Sequence, residues 1–316
     1  MFDPAKFVEE QVAEVRKTVT GHAIIATSGG VDSSVAAVIV QRAIGDRLHC
    51  VFVDTGYMRK DEPAQVRESL TKAGLNVDFV DARQDYYAAL AGVTDPERKR
   101  KIIGEKFVRI FEREARKFDA KWLVQGTIAP DWIESGGELR DTIKSHHNVG
   151  GLPKDLGLAL CEPLRDLYKD EVRKTARHLG LALSERQPFP GPGLAIRVIG
   201  EATPERTETV REACFIVEDE IEKAVKAGKM QAHPWQYFAV LLPVRTVGVH
   251  GDVRAYGDTV AVRAVESLDA MSAAYTRIPH EVLEKISVRI TNTLGKKVNR
   301  VVYDITHKPP GTVEWE

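Results

Sequence analysis

The 316-residue chain has few cysteines, no long apolar run at its start and almost no net charge. Its three cysteines, Cys50, Cys161 and Cys214, are isolated, with no C-x-x-C pair and no histidine at finger-like spacing. Neither a disulfide framework nor a zinc site is therefore expected, and buried structural thiols in a reducing compartment fit the usage. The opening "MFDPAKFVEEQVAEVRK" carries a charge every few residues and lacks an apolar core segment. It reads as neither a signal peptide nor a membrane anchor, so the expected location is the cytoplasm. Lys plus Arg number 45 against 46 Asp plus Glu, so bulk charge points to no nucleic-acid partner and no membrane surface. Any basic site must be local. No internal repeat, low-complexity tract or heptad seam is visible.

What the chain does contain is alternation. The length favours two domains, and we expect them at residues 1–187 and 188–316. An amphipathic helix carrying Phe7, Val8, Val12 and Val15 comes first. Apolar strand-like runs follow at 22–27, 48–56, 76–82 and 120–127, separated by helical patterns at 31–44, 61–74 and 96–118. Strands alternating with helices predict an α/β domain with a doubly wound parallel sheet. Residues 128–157 are polar and Gly-rich, and a loop of that length predicts a lid. A short strand near Leu160-Cys161 and a helix over Lys169 to Leu179 resume the pattern. "RQPFPGPGLAIRVIG" (186–200) then reads as a rigid, non-helical connector. Beyond it the expectation is a small α+β domain: a helix over about 204–227, two strand-like runs in "WQYFAVLLPVRTVGV" broken by Pro243, helices around 259–271 and 280–294, and a last strand in "RVVYDIT".

The stretch "IIATSGGVDSSVAAV" (24–38) runs a strand into Ser28-Gly29-Gly30 and then into a helix. Such a turn gathers backbone N–H groups and the positive helix end at one point, which is what holding a phosphate requires. Ser28, Ser33 and Ser34 can add hydroxyls, and Asp32 beside an anion site makes sense if Mg²⁺ bridges them. The turn is not a P-loop, because G-x-x-x-x-G-K-[ST] is absent; Gly228-Lys229 and Gly295-Lys296 lack the following Ser or Thr. Gly191-Pro192-Gly193 is not a dinucleotide fingerprint, since it lacks the third glycine and follows no strand. The competing reading of the three residues S-G-G alone is a tight turn that needs glycine for geometry.

The full "SGGVDSS" resembles the pyrophosphate-binding loop of the ATP pyrophosphatases, which cleave ATP between the α- and β-phosphates to activate a carbonyl as its adenylate. Downstream, "GTIAPDWIES" (126–135), "TIKSHHNVGGLP" (142–153), "EPLRDLYKDEVRK" (162–174), "PFPGPGLAIRVIG" (188–200), "LLPVRTVGVHGDVRAY" (241–256) and "NRVVYDITHKPPGTVEWE" (299–316) are similar to the ATP-pyrophosphatase portion of the GMP synthetases, in the same order. The resemblance implies an adenine nucleotide alpha hydrolase-like sheet followed by a dimerisation domain. It also implies that XMP and ATP give an adenylyl-XMP intermediate and pyrophosphate, after which ammonia displaces AMP to leave GMP.

On that reading the ATP-binding candidates are Ser28, Gly29, Gly30, Val31, Asp32, Ser33 and Ser34. Val53, Asp54 and Gly126 join them at strand ends, where ligands of open α/β sheets bind; plain core is the other reading of Val53. Asp32 is the candidate metal ligand. Lys144, in the lid, is the candidate for reaching the phosphates, with a solvated loop lysine as its alternative. His146-His147 point opposite ways on an extended segment, so joint ligation is not expected, and lid packing or substrate contact is preferred. Asp131 and Glu134 read equally as metal or nucleotide helpers and as a solvated pair. The resemblance carries XMP binding onto Lys308, Val313 and Glu314, with Gln236 added. Ala129 and Trp132 depart from the family's usual residues, and Val313 replaces isoleucine.

No G-x-C-x-G elbow surrounds any cysteine, which predicts that ammonia comes from a separate glutaminase subunit. The alternatives are another ligase of the same family, such as an NAD⁺ synthetase or a tRNA-thiolating enzyme, and a non-catalytic adenine-nucleotide sensor. Thiolation calls for further cysteines and a basic surface. A sensor needs neither lid nor acceptor-binding tail.

Overall fold

The computed structural model describes residues 2–130, 157–181, 187–267 and 270–316. By contacts the chain divides into two units: one of Met1–Thr55, Asp61–Ala82 and Gly104–Arg186, the other of Gly56–Lys60, Arg83–Ile103 and Gln187–Glu316. The second unit thus takes in two short segments that come early in the sequence. Among the described residues no helix is long and apolar enough to cross a membrane.

The first unit opens with α1 (Pro4–Thr18), whose start is fixed by Pro4 and by the Asp3 carboxylate accepting from the amides of Ala5 and Lys6 at 2.9 and 3.2 Å. Then come β1 (His22–Ala26), α2 (Val31–Ile44), β2 (Leu48–Asp54), α3 (Glu62–Lys72) and β3 (Val77–Asp81). After α4 (Arg83–Leu90), which belongs to the second unit, α5 (Pro96–Lys117) leads to β4 (Ala120–Val124), β5 (Ala159–Cys161) and α6 (Lys169–His178). All pairings in this sheet are parallel, in the order β3-β2-β1-β4-β5. Burial explains the apolar runs: Ile24, Ile25, Val51, Phe52 and most of α2 are inaccessible. The order reverses direction beside β1, so the crevice at its carboxyl end is the topological switch point where such sheets bind ligands. "SGGVDSS" leaves the sheet there.

The second unit contains α7 (Pro204–Lys226), β6 (Gln236–His250), β7 (Val253–Glu266), β8 (Ala274–Tyr275), α8 (His280–Leu294) and β9 (Val298–Asp304). Its mixed sheet runs β6-β7-β8, with β9 pairing parallel to β7. Three local features differ from expectation. Residues 259–271, expected as a helix, fall largely in β7, a central strand bonded to β6 and β9. The valines of "TVAVRAVE" suit a strand buried on both faces, where helix and strand cannot be told apart by periodicity alone. Pro243 does not break the strand in two, because the register shift between Leu242 and Arg245 accommodates it as a bulge. The connector at 186–200 is not irregular throughout: Gly193–Arg197 form a buried 3₁₀ turn. Gly193, at φ +62, has its Cβ position 2.3 Å from the Tyr57 carbonyl oxygen, so no other residue fits there.

Candidate active site

The turn after β1 is built almost wholly from its own atoms. Gly30 caps α2 at φ −72° and ψ 157° with no side-chain cap. The first intrahelical bond is Ser34 N–H to the Gly30 carbonyl at 3.1 Å. Helix geometry therefore leaves the amides of Val31, Asp32 and Ser33 pointing out of the helix start without intrahelical acceptors. The Ser33 and Ser34 hydroxyls both donate back to the Gly30 carbonyl, at 3.2 and 2.8 Å, while Ser28 Oγ accepts from Gly30 N–H at 3.3 Å. The serines hold the turn in shape and leave the amides for an anion.

Two glycines are forced by close packing. Gly29 has φ +75, and a Cβ on it would lie 2.5 Å from Val66 Cγ2 of α3. Gly126, just beyond β4, crosses the first turn of α2 so closely that a Cβ would meet Asp32 C at 2.9 Å and Ser33 N at 3.0 Å. Of the other strand-end candidates, Val53 is buried core, so only its backbone can face a ligand, and the Asp54 carbonyl accepts from Ala82 N–H at 3.0 Å.

Asp32 faces a residue that sequence reasoning missed. Its Oδ2 accepts from Lys169 Nζ at 2.6 Å, 137 positions away, while its Oδ1 is buried and has no hydrogen-bond partner among the described residues. Lys169 opens α6, where the helix dipole disfavours a cation. Asp32 compensates a lysine placed against that local rule. The orphaned oxygen fits a divalent cation held by one carboxylate and substrate phosphates. Among the described residues no group of three or more His, Cys, Asp or Glu could hold a metal by itself. Lys144, Asp131, Trp132, Glu134, His146 and His147, with most of the expected lid, lie outside the described residues. Ala129 is buried, its amide bonded to the Leu167 carbonyl at 2.9 Å.

In the second unit, Gln236 and Glu314 are brought together across 78 positions: Gln236 Nε2 donates to Glu314 Oε1 at 3.0 Å and to the Pro188 carbonyl at 3.1 Å. Arg197, fully buried, clasps the same carboxylate with Nε to Oε2 at 3.1 Å and Nη2 to Oε1 at 2.8 Å. Phe189 and Phe238 lie against its guanidinium at 5.1 and 4.0 Å. Burial works against this charge, but Glu314 together with Cys214 and Glu218 outweighs it and the guanidinium is held above its ordinary pKa. Lys308 is not part of that cluster; its ammonium donates to the Ala270 carbonyl at 2.7 Å. The Val313 carbonyl accepts from buried Arg263 at 2.9 Å. Lys99, also fully buried, donates to the carbonyls of Ala195 and Val198 at 3.1 and 2.8 Å and to the Glu316 carboxylate. Its burial lowers its pKa, an effect that Glu316 offsets only in part.

Arg197 and Arg263 were not singled out from sequence, yet a signal existed. Each is the lone charge in an apolar run, "GLAIRVIG" and "TVAVRAV", and a charge in such a run must find a partner when the run is buried.

Against known proteins, residues 222–315 match the model of the GMP synthase C terminal domain, and residues 3–110 match the model of NAD synthase. The chain is 60% identical to a GMP synthase [glutamine-hydrolyzing] subunit of Thermococcus kodakarensis, over 98% of this chain and 99% of that protein. It is 59% identical to the protein of the same description from Methanopyrus kandleri, covering 100% of both. This chain belongs to that family of GMP synthase subunits. It also aligns with GMP synthase [glutamine-hydrolyzing] of Clostridium tetani at 55% identity, over 98% of this chain and 61% of that longer protein. With membership the chain is an enzyme, a ligase of GMP synthesis that uses ATP, and the NAD synthase match falls on the half that carries "SGGVDSS". The GMP synthase C-terminal match falls on the unit that carries Gln236, Lys308, Val313 and Glu314.

Proposed function

We propose that this chain catalyses the synthetase half of GMP formation, converting XMP to GMP at the expense of ATP, with Mg²⁺ at Asp32 and ammonia delivered by a separate glutaminase subunit. The observation that carries the site assignment is the Asp32 Oδ1, buried and without a partner among the described residues, beside the open amides of the α2 start. In the first step the C2 oxygen of XMP attacks the α-phosphorus of ATP, the bond to the β-phosphate breaks and pyrophosphate leaves. In the second, ammonia attacks C2, the C2–O bond breaks, AMP departs and a proton is lost.

The chain's own groups meet the main difficulty, an anionic nucleophile approaching an anionic phosphate. Amides of Val31, Asp32 and Ser33 bind the β- and γ-phosphates as they leave together, and Ser28, Gly29, Gly30 and Ser34 shape that cradle. Lys169 beside Asp32 adds a fixed cation, and Lys144 is assigned a second. Bound at Asp32, Mg²⁺ would neutralise phosphate charge. Val53, Asp54 and Gly126 border the adenosine. Gln236, Lys308, Val313 and Glu314 bind XMP, the ammonium of Lys308 toward its phosphate.

We also assign a homodimer through the second unit and a cytoplasmic location. The outer part of the β6–β7 hairpin is a two-stranded ribbon, and Val249, Val253 and Tyr256 on it are 74%, 69% and 61% exposed. Such a ribbon gains little from itself and is stabilised by a partner. Three buried, reduced cysteines support the reducing compartment. Burial pushes the Cys50 thiol up to about 12 and Cys161 up to about 11, so neither is a poised nucleophile.

The test is incubation of the purified chain with ATP, Mg²⁺, XMP and ammonium, following AMP, pyrophosphate and GMP together. AMP and GMP appearing in equal amounts, and only with XMP present, supports the reading. ATP cleavage that ignores XMP, or no turnover even with the glutaminase added, overturns it.

A further inference from the structure

The tail 306–316 carries three of the four XMP-binding assignments, yet its loop Thr306–Val313 lies in no helix or strand. The middle of that loop is bridged by backbone hydrogen bonds between Lys308 and Ala273, and a buried side chain joins its two ends. Arg263, on the central strand β7 and 1% exposed, makes four hydrogen bonds from three nitrogens, three to the loop and one to Asp304 just before it. Nη1 donates to the Thr306 carbonyl at 2.9 Å and to Asp304 Oδ2 at 2.9 Å, which ties down the start of the loop. Nη2 donates to the Thr312 carbonyl at 2.7 Å and Nε to the Val313 carbonyl at 2.9 Å, which ties down its end. Asp304 completes the corner: Oδ1 accepts from Thr306 N–H at 2.9 Å, and Oδ2 accepts also from Trp315 Nε1 at 3.0 Å.

We infer that Arg263 is a positioning residue for XMP binding: its guanidinium joins the two ends of the tail loop, so that Lys308, Val313 and Glu314 are held ready before the nucleotide arrives. This rests on the assignment of the tail to XMP. The planar fork is what does it, since one flat group with N–H donors on three sides spans four acceptors that a lysine ammonium cannot reach at once. Every backbone carbonyl it binds belongs to the tail, and its one side-chain partner, Asp304, ends the strand that leads into it. Loss of the fork returns to binding the cost of ordering the loop, while the phosphate turn keeps its own hydrogen bonds.

The experiment compares full-length wild type with Arg263→Ala, Arg263→Lys and Asp304→Asn, with ammonium as nitrogen source. KM for XMP is measured at saturating ATP, ATP binding is measured directly without XMP, and thermal melting is recorded for each. Arg263→Ala is expected to raise KM for XMP roughly tenfold or more with ATP affinity unchanged. Arg263→Lys is expected to raise it less, and Asp304→Asn least. Dilute guanidinium is expected to restore part of the XMP affinity of Arg263→Ala and to do nothing for wild type. If Arg263→Ala does not fold, the Lys and Asn variants carry the same comparison. An unchanged KM for XMP in a folded variant, or equal losses of XMP and ATP binding, overturns the inference. A wild-type chain that makes AMP without regard to XMP overturns the underlying reading instead, whatever the variants do.

Discussion

The turn after β1 and the C-terminal tail, to which we assign phosphate and XMP binding, are held in different ways. Within the turn at 28–34 the serine hydroxyls and amides bond to one another, glycine sits where packing leaves no room, and the distant contact is the ion pair of Asp32 with the half-exposed Lys169. The tail is tied by Arg197, Arg263 and Lys99, all buried, from positions far up the chain. A local loop can give up a functional side chain without unfolding. A loop held by buried charges cannot lose an anchor so cheaply, because the partner left behind is desolvated and alone.

The sharpest break in that comparison is Asp32→Asn. XMP-dependent AMP formation should fall to background while the melting temperature stays at the wild-type value, as read by product assay and calorimetry. Arg197→Met should do the reverse in kind, leaving Glu314 without its guanidinium and costing about 3–5 kcal/mol of stability, measured by denaturant unfolding. Gly126→Ala probes the turn through its backing: a Cβ within 2.9 Å of the Asp32 backbone displaces the α2 start, and a shift of that kind costs about 10²-fold in kcat/KM at unchanged XMP KM. Lys308→Ala should raise KM for XMP about tenfold and leave ATP binding alone, which steady-state titration of each substrate separates.

The smallest effect concerns the opposite end of the parallel sheet. His49 stacks on Phe118, and its Nε2 shares a hydrogen bond with His22 Nδ1 at 2.9 Å. Burial, then His22, with a smaller push from Lys117, hold His49 below its ordinary 6.5 despite Asp78. The unfolded chain therefore takes up the proton first as pH falls, so stability drops below about pH 6.5 toward the folded value. Melting curves for wild type and His49→Phe should differ in slope with pH there, and only there.

Much of the first unit was legible because its signals are short-range. The helix expected over 31–44 lies at Val31–Ile44, and the family match agrees with the loop that opens it. Other residues take roles that local pattern does not show. Asp32, Ser33 and Ser34 have the chemistry of capping residues, but Gly30 caps the helix and the hydroxyls brace the turn. Over 259–265 the strand is buried on both faces and has no alternation to show, so its pattern reads as a helix. Lys169 was inside a motif of the family but carried no hint of its partner, since nothing along the chain connects it to Asp32.

By itself the sequence determined the alternation that makes a parallel sheet, the glycine-bearing turn at its switch point and the family to which the chain belongs. Those follow from interactions between near neighbours and from motif order. Tertiary structure alone decided which charges meet: Asp32 with Lys169, Glu314 with Arg197 and Gln236, the tail with Arg263. The pairings of Arg197 and Arg263 form because a charge buried by folding must be satisfied wherever the chain brings a partner, and the place of every partner named here is set by packing, not by spacing.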